Sequence, residues 1–217
     1  MRKYQNILLL FSIVFCLSAC GRVEDVRSGS VSDDPVGGRC EGCEAIYESP
    51  VPHEKLDHTD TTSGFFEDVD KLMISGVVYE IDGITPAKDV VIYYYHTDSE
   101  GYYSKKGGET GWGNRHGYLR GWLKTNEKGE YKFFTLKPAP YPNATEPAHI
   151  HMIVKEPEIN EYYIDDIVFE EDPFVDEDYR NRVRDNAGSG IIPLSKQNGI
   201  FIGTRNIILG KNILNYP

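Results

Sequence analysis

Two histidines separated by a single residue, with a tyrosine eight positions before the first, are the part of this sequence best suited to chemistry. They are His149, His151 and Tyr141, the last inside the proline-rich run Lys137-Pro138-Ala139-Pro140-Tyr141-Pro142. Side chains alternate faces along a strand, so the His-x-His spacing puts both imidazoles on one side. Two imidazoles and a phenol on a stiff loop make a set of metal ligands. By type alone the same histidines also fit ordinary hydrogen-bonded core or surface positions. Imidazole suits zinc, copper, iron and nickel alike. The phenol narrows the choice. Phenolate is a hard, strongly donating anion that favours a trivalent, Lewis-acidic ion, with ferric iron the usual one, whereas zinc takes His, Cys and carboxylates.

These residues need a scaffold of strands. From Leu72 onward the chain reads as short strands separated by Gly- and Pro-containing turns. Leu72–Glu80, Asp89–His96, Tyr118–Lys124, Glu130–Leu136, Ala148–Lys155, Ile164–Phe169 and Gly199–Leu209 are the strand candidates. Asp89–His96 is rich in β-branched and aromatic residues on both faces, as a buried strand is. The helical candidate is the charged stretch Val175–Asp185, and Asp57–Gly64 reads as a loop. The pattern predicts an all-β fold, an antiparallel β-sandwich with long connecting loops. A second aromatic cluster follows the Asp89–His96 strand. A turn carrying Asp98 and Gly101 presents Tyr102 and Tyr103 at the sheet edge, where tyrosines are ordinarily packing residues.

The N-terminus is of another kind. Arg2 and Lys3 precede the apolar run Ile7–Leu17, and Leu17-Ser18-Ala19-Cys20 follows. This is the shape of a secretory signal over residues 1–19, and the last four residues look like a bacterial lipobox with Cys20 as the acylated residue. Residues 20–39 then read as a flexible polar tether and 40–217 as the folded domain. The expectation is an exported protein, lipid-anchored to a bacterial membrane. The formal net charge is −11, and loss of Arg2 and Lys3 with the signal makes it more negative still. That excludes a basic nucleic-acid footprint. In an exported chain Cys40 and Cys43 are expected to form a local disulfide. The carboxylate-rich run Phe169–Asp178 reads as a solvated acidic loop.

The residues resemble a known family. Tyr95–Ser104, Arg120–Pro142 and Pro147–His151 match, in order and spacing, blocks of the intradiol ring-cleavage dioxygenases, the non-haem ferric enzymes that include protocatechuate and catechol dioxygenases. Phe169–Pro173 resembles a later loop of that family, and the likeness runs from about Leu72 to Leu209. The resemblance implies one Fe(III) per chain, held by Tyr103, Tyr141, His149 and His151. It implies a catechol-type aromatic diol and O2 as substrates, opening of the ring between the two hydroxylated carbons, and Tyr141 as the ligand that leaves and takes up a substrate proton. It leaves an oligomer open. Several members carry an arginine three residues before the first histidine, where this chain has Glu146. A carboxylate facing the site would oppose a bound dianion by about a few kcal/mol at short range. Three expectations follow: Glu146 turns away, or another cation serves, or the substrate differs. Arg115, Arg120, Lys137 and Arg205 are the candidate cations, each otherwise a surface charge. A different class stays open as well, a β-sandwich binding or display lipoprotein that keeps the scaffold alone. A zinc hydrolase is disfavoured by the phenols.

Overall fold

A computed structural model describes residues 34–217. The signal segment, Cys20 and most of the tether lie outside the described residues, and among those described no helix is long and apolar enough to cross a membrane. Among the described residues eleven strands form: β1 Thr59–Thr61, β2 Lys71–Tyr79, β3 Val91–His96, β4 Arg120–Lys124, β5 Glu130–Leu136, β6 His149–Lys155, β7 Tyr162–Phe169, β8 Ile191–Ile192, β9 Ser195–Gln197, β10 Ile200–Thr204 and β11 Ile207–Ile208. Among the described residues two short α-helices accompany them, α1 Gly113–His116 and α2 Glu177–Arg182, with 3-10 turns at Cys43–Glu48, His53–Lys55 and Ser63–Phe66. One sheet has the order β1-β5-β2-β10-β9, with β11 also on β2, and the other is β4-β3-β6-β7-β8.

The sandwich expected from alternation is present, but its sheets are mixed. β1 on β5, β10 and β11 on β2, and β8 on β7 are parallel pairings, whereas the rest are antiparallel. Parallel neighbours need a crossover through distant chain, and local pattern carries no trace of that. The core lies between the sheets. Leu72, Ile74, Tyr131 and Phe133 meet Ile92, Tyr94, Ile150, Met152 and Ile164 there. A smaller cluster covers the outer face of the second sheet, where Val91, Tyr93 and Ile153 pack under Cys43, Ala45 and Ile46. That cover explains why β3 is apolar on both faces. It begins at a Cys40–Cys43 disulfide and is pinned by Trp122 Nε1 donating to the Ala45 carbonyl at 3.1 Å. Contacts to the domain begin before Cys40, with Val36 N on Asn160 Oδ1 at 3.0 Å and Gly37 N on the Leu214 carbonyl at 2.8 Å.

Two buried imidazoles make the fold acid-sensitive. His96 donates from Nδ1 to the Thr97 carbonyl at 2.7 Å and accepts at Nε2 from Thr135 at 2.8 Å. His116 sits against the Tyr93 hydroxyl at 2.7 Å. Burial pushes each down to about 4. The unfolded chain takes up protons below about pH 6.5, while the native state keeps both rings neutral. The stability they confer is therefore full above about pH 6.5 and is lost as pH falls toward 4. Urea unfolding is expected to lose about 2 kcal/mol per ring between pH 7.5 and 5, and His96→Gln should flatten that slope.

Candidate metal centre

The second sheet, at its outer face, supplies the histidines. On β6, Ile150, Met152 and Val154 point into the core, which turns His149 and His151 to the opposite side. β3 lies antiparallel beside them with Tyr95 opposite His151, their rings 4.4 Å apart. Tyr95 in turn stacks on His116 at 3.8 Å, and His116 on Trp112 at 5.3 Å.

Two loops bring the phenols. After β3, Asp98 accepts from the backbone of Glu100 and Tyr102 at 2.9 and 3.0 Å and from Ser104 Oγ at 2.5 Å, closing the turn that carries Tyr103. The loop after β5 carries Tyr141 and is stitched to that turn. Ala139 N donates to the Asp98 carbonyl at 3.0 Å, and Thr97 Oγ1 to the Ala139 carbonyl at 2.7 Å. Gly101, at φ +88°, fits so closely that a Cβ would stand 2.1 Å from the Pro140 oxygen. Only a residue without Cβ lets the loops meet this way.

The four side chains predicted from the sequence converge. Tyr103 Oη lies 2.6 Å from Tyr141 Oη and 2.8 Å from His151 Nε2, and Tyr141 Oη lies 3.0 Å from His149 Nε2. All four are partly buried. The other ring nitrogens settle the protons. His149 Nδ1 faces the Pro147 carbonyl at 2.7 Å, and His151 Nδ1 faces Asp166 Oδ1 at 2.9 Å. A carbonyl and a carboxylate only accept, so each Nδ1 carries the hydrogen and each Nε2 a bare lone pair. Three close contacts then share two hydrogens, those of the phenols, and one contact is left lone pair against lone pair. A cation resolves that deficit. Tyr103, Tyr141, His149 and His151 would hold that cation through two phenol oxygens and two imidazole nitrogens. Burial pushes both phenols up and, with the neighbouring His151, pushes His149 down. The phenols therefore ionise only against a strong positive charge. The donor set fits a hard trivalent ion.

Glu146 turns away, as one expectation had it. It is exposed and pairs with Arg182 of α2 at 3.2 Å. Of the four candidate cations, Arg115 and Arg120 pair with Glu41 and Glu48 at 2.5 and 2.6 Å, and Lys137 lies 5.1 Å from the Phe169 ring centroid. Arg205 corrects the surface reading, being only 1% exposed. Burial pushes its guanidinium below the ordinary arginine value, the charges of Tyr131, Asp166 and Asp165 offsetting only part of that cost, and it donates to the Asp165 carbonyl. The acidic run 169–178 does local work. Asp172 accepts from Ala148 N and Phe174 N at 2.9 and 3.0 Å, and Asp176 caps α2 through Tyr179 N at 2.8 Å. A cleft of about 320 Å³ lined by Tyr163, Asp166, Tyr179, Arg182 and Ile191 opens beside the centre, and the four donors do not line it.

Sequence reasoning missed Asp166, which groups with His149 and His151 as a metal-capable cluster, and its neighbour Tyr163. The available signal was Asp165-Asp166, two carboxylates in succession within a strand whose alternation allows one.

The sequence model of a family described as "Dioxygenase" matches residues 46–191. No curated protein matches the chain. Among solved structures, the dioxygenase domain of a dioxygenase carbohydrate-binding protein fusion from Streptomyces sp. SirexAA-E aligns at 21% identity and TM-score 0.54, over 81% of this chain and 98% of that one. Catechol 1,2-dioxygenase from Acinetobacter sp. ADP1 aligns at 18% identity and TM-score 0.53, over 70% of this chain and 56% of its own. Hydroxyquinol 1,2-dioxygenase from Pseudomonas putida DLL-E4 aligns at 17% and 0.52, over 73% and 63%. The chain thus spans nearly all of the Streptomyces domain and under two thirds of the other two. At these identities the likeness carries the fold.

Proposed function

The chain belongs to the intradiol ring-cleavage dioxygenases, an Fe(III)-dependent family, and on that premise we propose that Tyr103, Tyr141, His149 and His151 hold one ferric ion for cleavage of a catechol-type ring between its hydroxylated carbons by O2. The observation that carries the reading is the hydrogen deficit among the four donors: three contacts of 2.6, 2.8 and 3.0 Å share two hydrogens. When bound, the ion supplies Lewis acidity and a template that binds both catechol oxygens and draws electron density from the ring.

The chain's own residues do the rest. His149 and His151 keep their protons on Nδ1, so both Nε2 atoms stay available as donors. Tyr103 and Tyr141 each touch the other phenol and one histidine; Tyr103 stands in the turn closed by Asp98 and is the fixed phenol. Tyr141, on a loop as Tyr103 is, stands where that loop becomes exposed past Pro142 at Asn143, Thr145 and Glu146. It is the phenol free to give way, and its Oη takes a proton from an incoming catechol hydroxyl. Burial favours the protonated form of Tyr141, which helps it hold that proton. Glu146 is paired with Arg182, which lessens its repulsion toward a dianion, although its charge still reaches Tyr141 and His149. Cys20 anchors the enzyme outside the cytoplasm in this proposal, and recovery from the cytosol on fractionation would overturn that part.

Protein loaded with ferric iron is expected to be red-brown from tyrosinate-to-iron absorption and to consume one O2 per catechol, giving a muconate-type diacid. A colourless, iron-free protein after loading overturns the ferric reading. A coloured protein inert toward a panel of catechols overturns the enzymatic reading in favour of a scaffold that keeps the metal site without the activity.

A further inference from the structure

His151 has a second side that faces away from the four donors. Its Nδ1 lies 2.9 Å from Asp166 Oδ1 and 3.1 Å from the Tyr163 hydroxyl. Tyr163 donates to the same Asp166 oxygen. One carboxylate oxygen thus receives both the imidazole and the phenol.

Backbone register explains how an aspartate comes to be there. Ile150 pairs with Ile167 and Met152 with Ile164, so His151 alone stands opposite Asp165 and Asp166 together. Two residues facing one define a β-bulge, a device that re-aims a side chain. Ile164 and Ile167 both remain in the core between the sheets. The extra residue is therefore absorbed by the two aspartates and nowhere else. β8 clamps the bulge from outside, with Val168 N donating to the Gly190 carbonyl at 2.9 Å. A Cβ on Gly190 would stand 1.9 Å from the Asp166 carbonyl oxygen. Arg205 fills the interior behind, with Nη1 on the Asp165 carbonyl and no partner for Nε or Nη2.

Asp166 is close enough to both histidines to suggest a ligand, since the three residues offer atoms within 4.8 Å of one another. Ring geometry argues otherwise. His151 shows Nδ1 to Asp166 and Nε2 to Tyr103, and these nitrogens diverge from opposite sides of the imidazole. An ion among the phenols takes Nε2, which leaves the carboxylate behind the ring.

We propose that Asp166 is a positioning residue of the metal centre: aimed by the bulge in β7, its carboxylate holds the proton on His151 Nδ1, fixes the ring, and makes Nε2 a stronger donor to a ferric ion. The proposal rests on the ferric reading above. Carboxylate support of a metal-bound histidine is worth about 10–100-fold in metal affinity. It also balances charge, because two ionised phenols and one carboxylate match a trivalent ion. Tyr163 tempers the effect by donating to the same oxygen.

The test uses the full chain loaded with ferric iron, in wild-type, Asp166→Asn and Tyr163→Phe forms. Asp166→Asn keeps the shape and removes the charge. It is expected to weaken ferric affinity about 10–100-fold, to move the tyrosinate-to-iron band to longer wavelength, and to raise the reduction potential. Tyr163→Phe removes the competing donor and is expected to shift band and potential the opposite way. A merely structural role predicts no such opposition of sign. In the iron-free wild type, nitrogen NMR is expected to find His151 protonated at Nδ1 and bare at Nε2. If Asp166→Asn fails to fold, the shift in Tyr163→Phe decides alone. A coloured wild type whose two variants shift together or not at all overturns the role of Asp166, as does a proton on Nε2. A colourless wild type overturns the ferric reading itself and this inference with it.

Discussion

Tyr103→Phe is expected to fold normally and to lose both ferric colour and catechol-dependent oxygen uptake. The phenol oxygen lies 2.6 Å from Tyr141 Oη and 2.8 Å from His151 Nε2. Its removal takes away an anionic donor and not merely a neighbour. The loss should exceed the about 10–100-fold that removal of a supporting residue costs in metal affinity or activity. Stability should hardly fall. Tyr103 sits in a loop outside the main core, and burial raises its phenol against ionisation in the metal-free protein. Phenylalanine removes that polar burden along with the hydrogen bonds. Thermal melting within a few degrees of wild type, together with loss of the visible band, checks the prediction. A variant that keeps full colour and turnover would remove Tyr103 from the ligand set.

Gly101→Ala is expected to damage the same site without touching any donor. The new methyl group would stand 2.1 Å from the Pro140 oxygen and 2.9 Å from Pro142 Cδ. Those neighbours are backbone and a proline ring, and neither yields as a flexible side chain would. An L-residue at positive φ adds about 1–2 kcal/mol. The two loops must part, and they carry Tyr103 and Tyr141 two residues and one residue from the collision. We expect a stability loss of about 2–4 kcal/mol and a ferric affinity at least about 100-fold lower. Gly107→Ala is the control. Gly107 has φ +90° and nothing within 4 Å of a built Cβ, so it shares the backbone strain and lacks the collision. Equal effects from the two variants would show that contact between the loops does not set the site.

What could be read in the sequence divides along physical lines. β5 was found at its true bounds because Glu130, Tyr131, Lys132 and Phe133 alternate cleanly between solvent and core. β6 was found because His149 and His151 fall between buried Ile150 and Met152. The helix expected over Val175–Asp185 exists, shortened to Glu177–Arg182 between its Asp176 cap and Val183. β1, by contrast, was read as loop. Thr59, Asp60 and Thr61 carry no apolar pattern and are strand only because they pair with Lys132, Phe133 and Phe134 far along the chain. The single strand expected over Gly199–Leu209 is two, broken where Arg205 turns its guanidinium inward.

The candidate site shows the same division. Tyr103, Tyr141, His149 and His151 were identified by type, spacing and family resemblance, and the structure brings all four together. Their tautomers were not legible, because these depend on the Pro147 carbonyl and on Asp166 across a strand pair. Neither was the pairing of Glu146 with Arg182, contributed by a helix 36 positions later. Spacing reports what a residue can do, whereas its partners are a property of the closed chain.

The rings packed from His151 through Tyr95 and His116 to Trp112 have an optical consequence. Trp112 is one of two tryptophans in the chain, and the other, Trp122, packs on Tyr93 at 4.9 Å within the same cluster. All the indole emission therefore arises in the aromatic cluster whose Tyr95 packs on His151. An ion there that absorbs visible light would drain it, and the protein's own fluorescence becomes a gauge of how much of it is loaded.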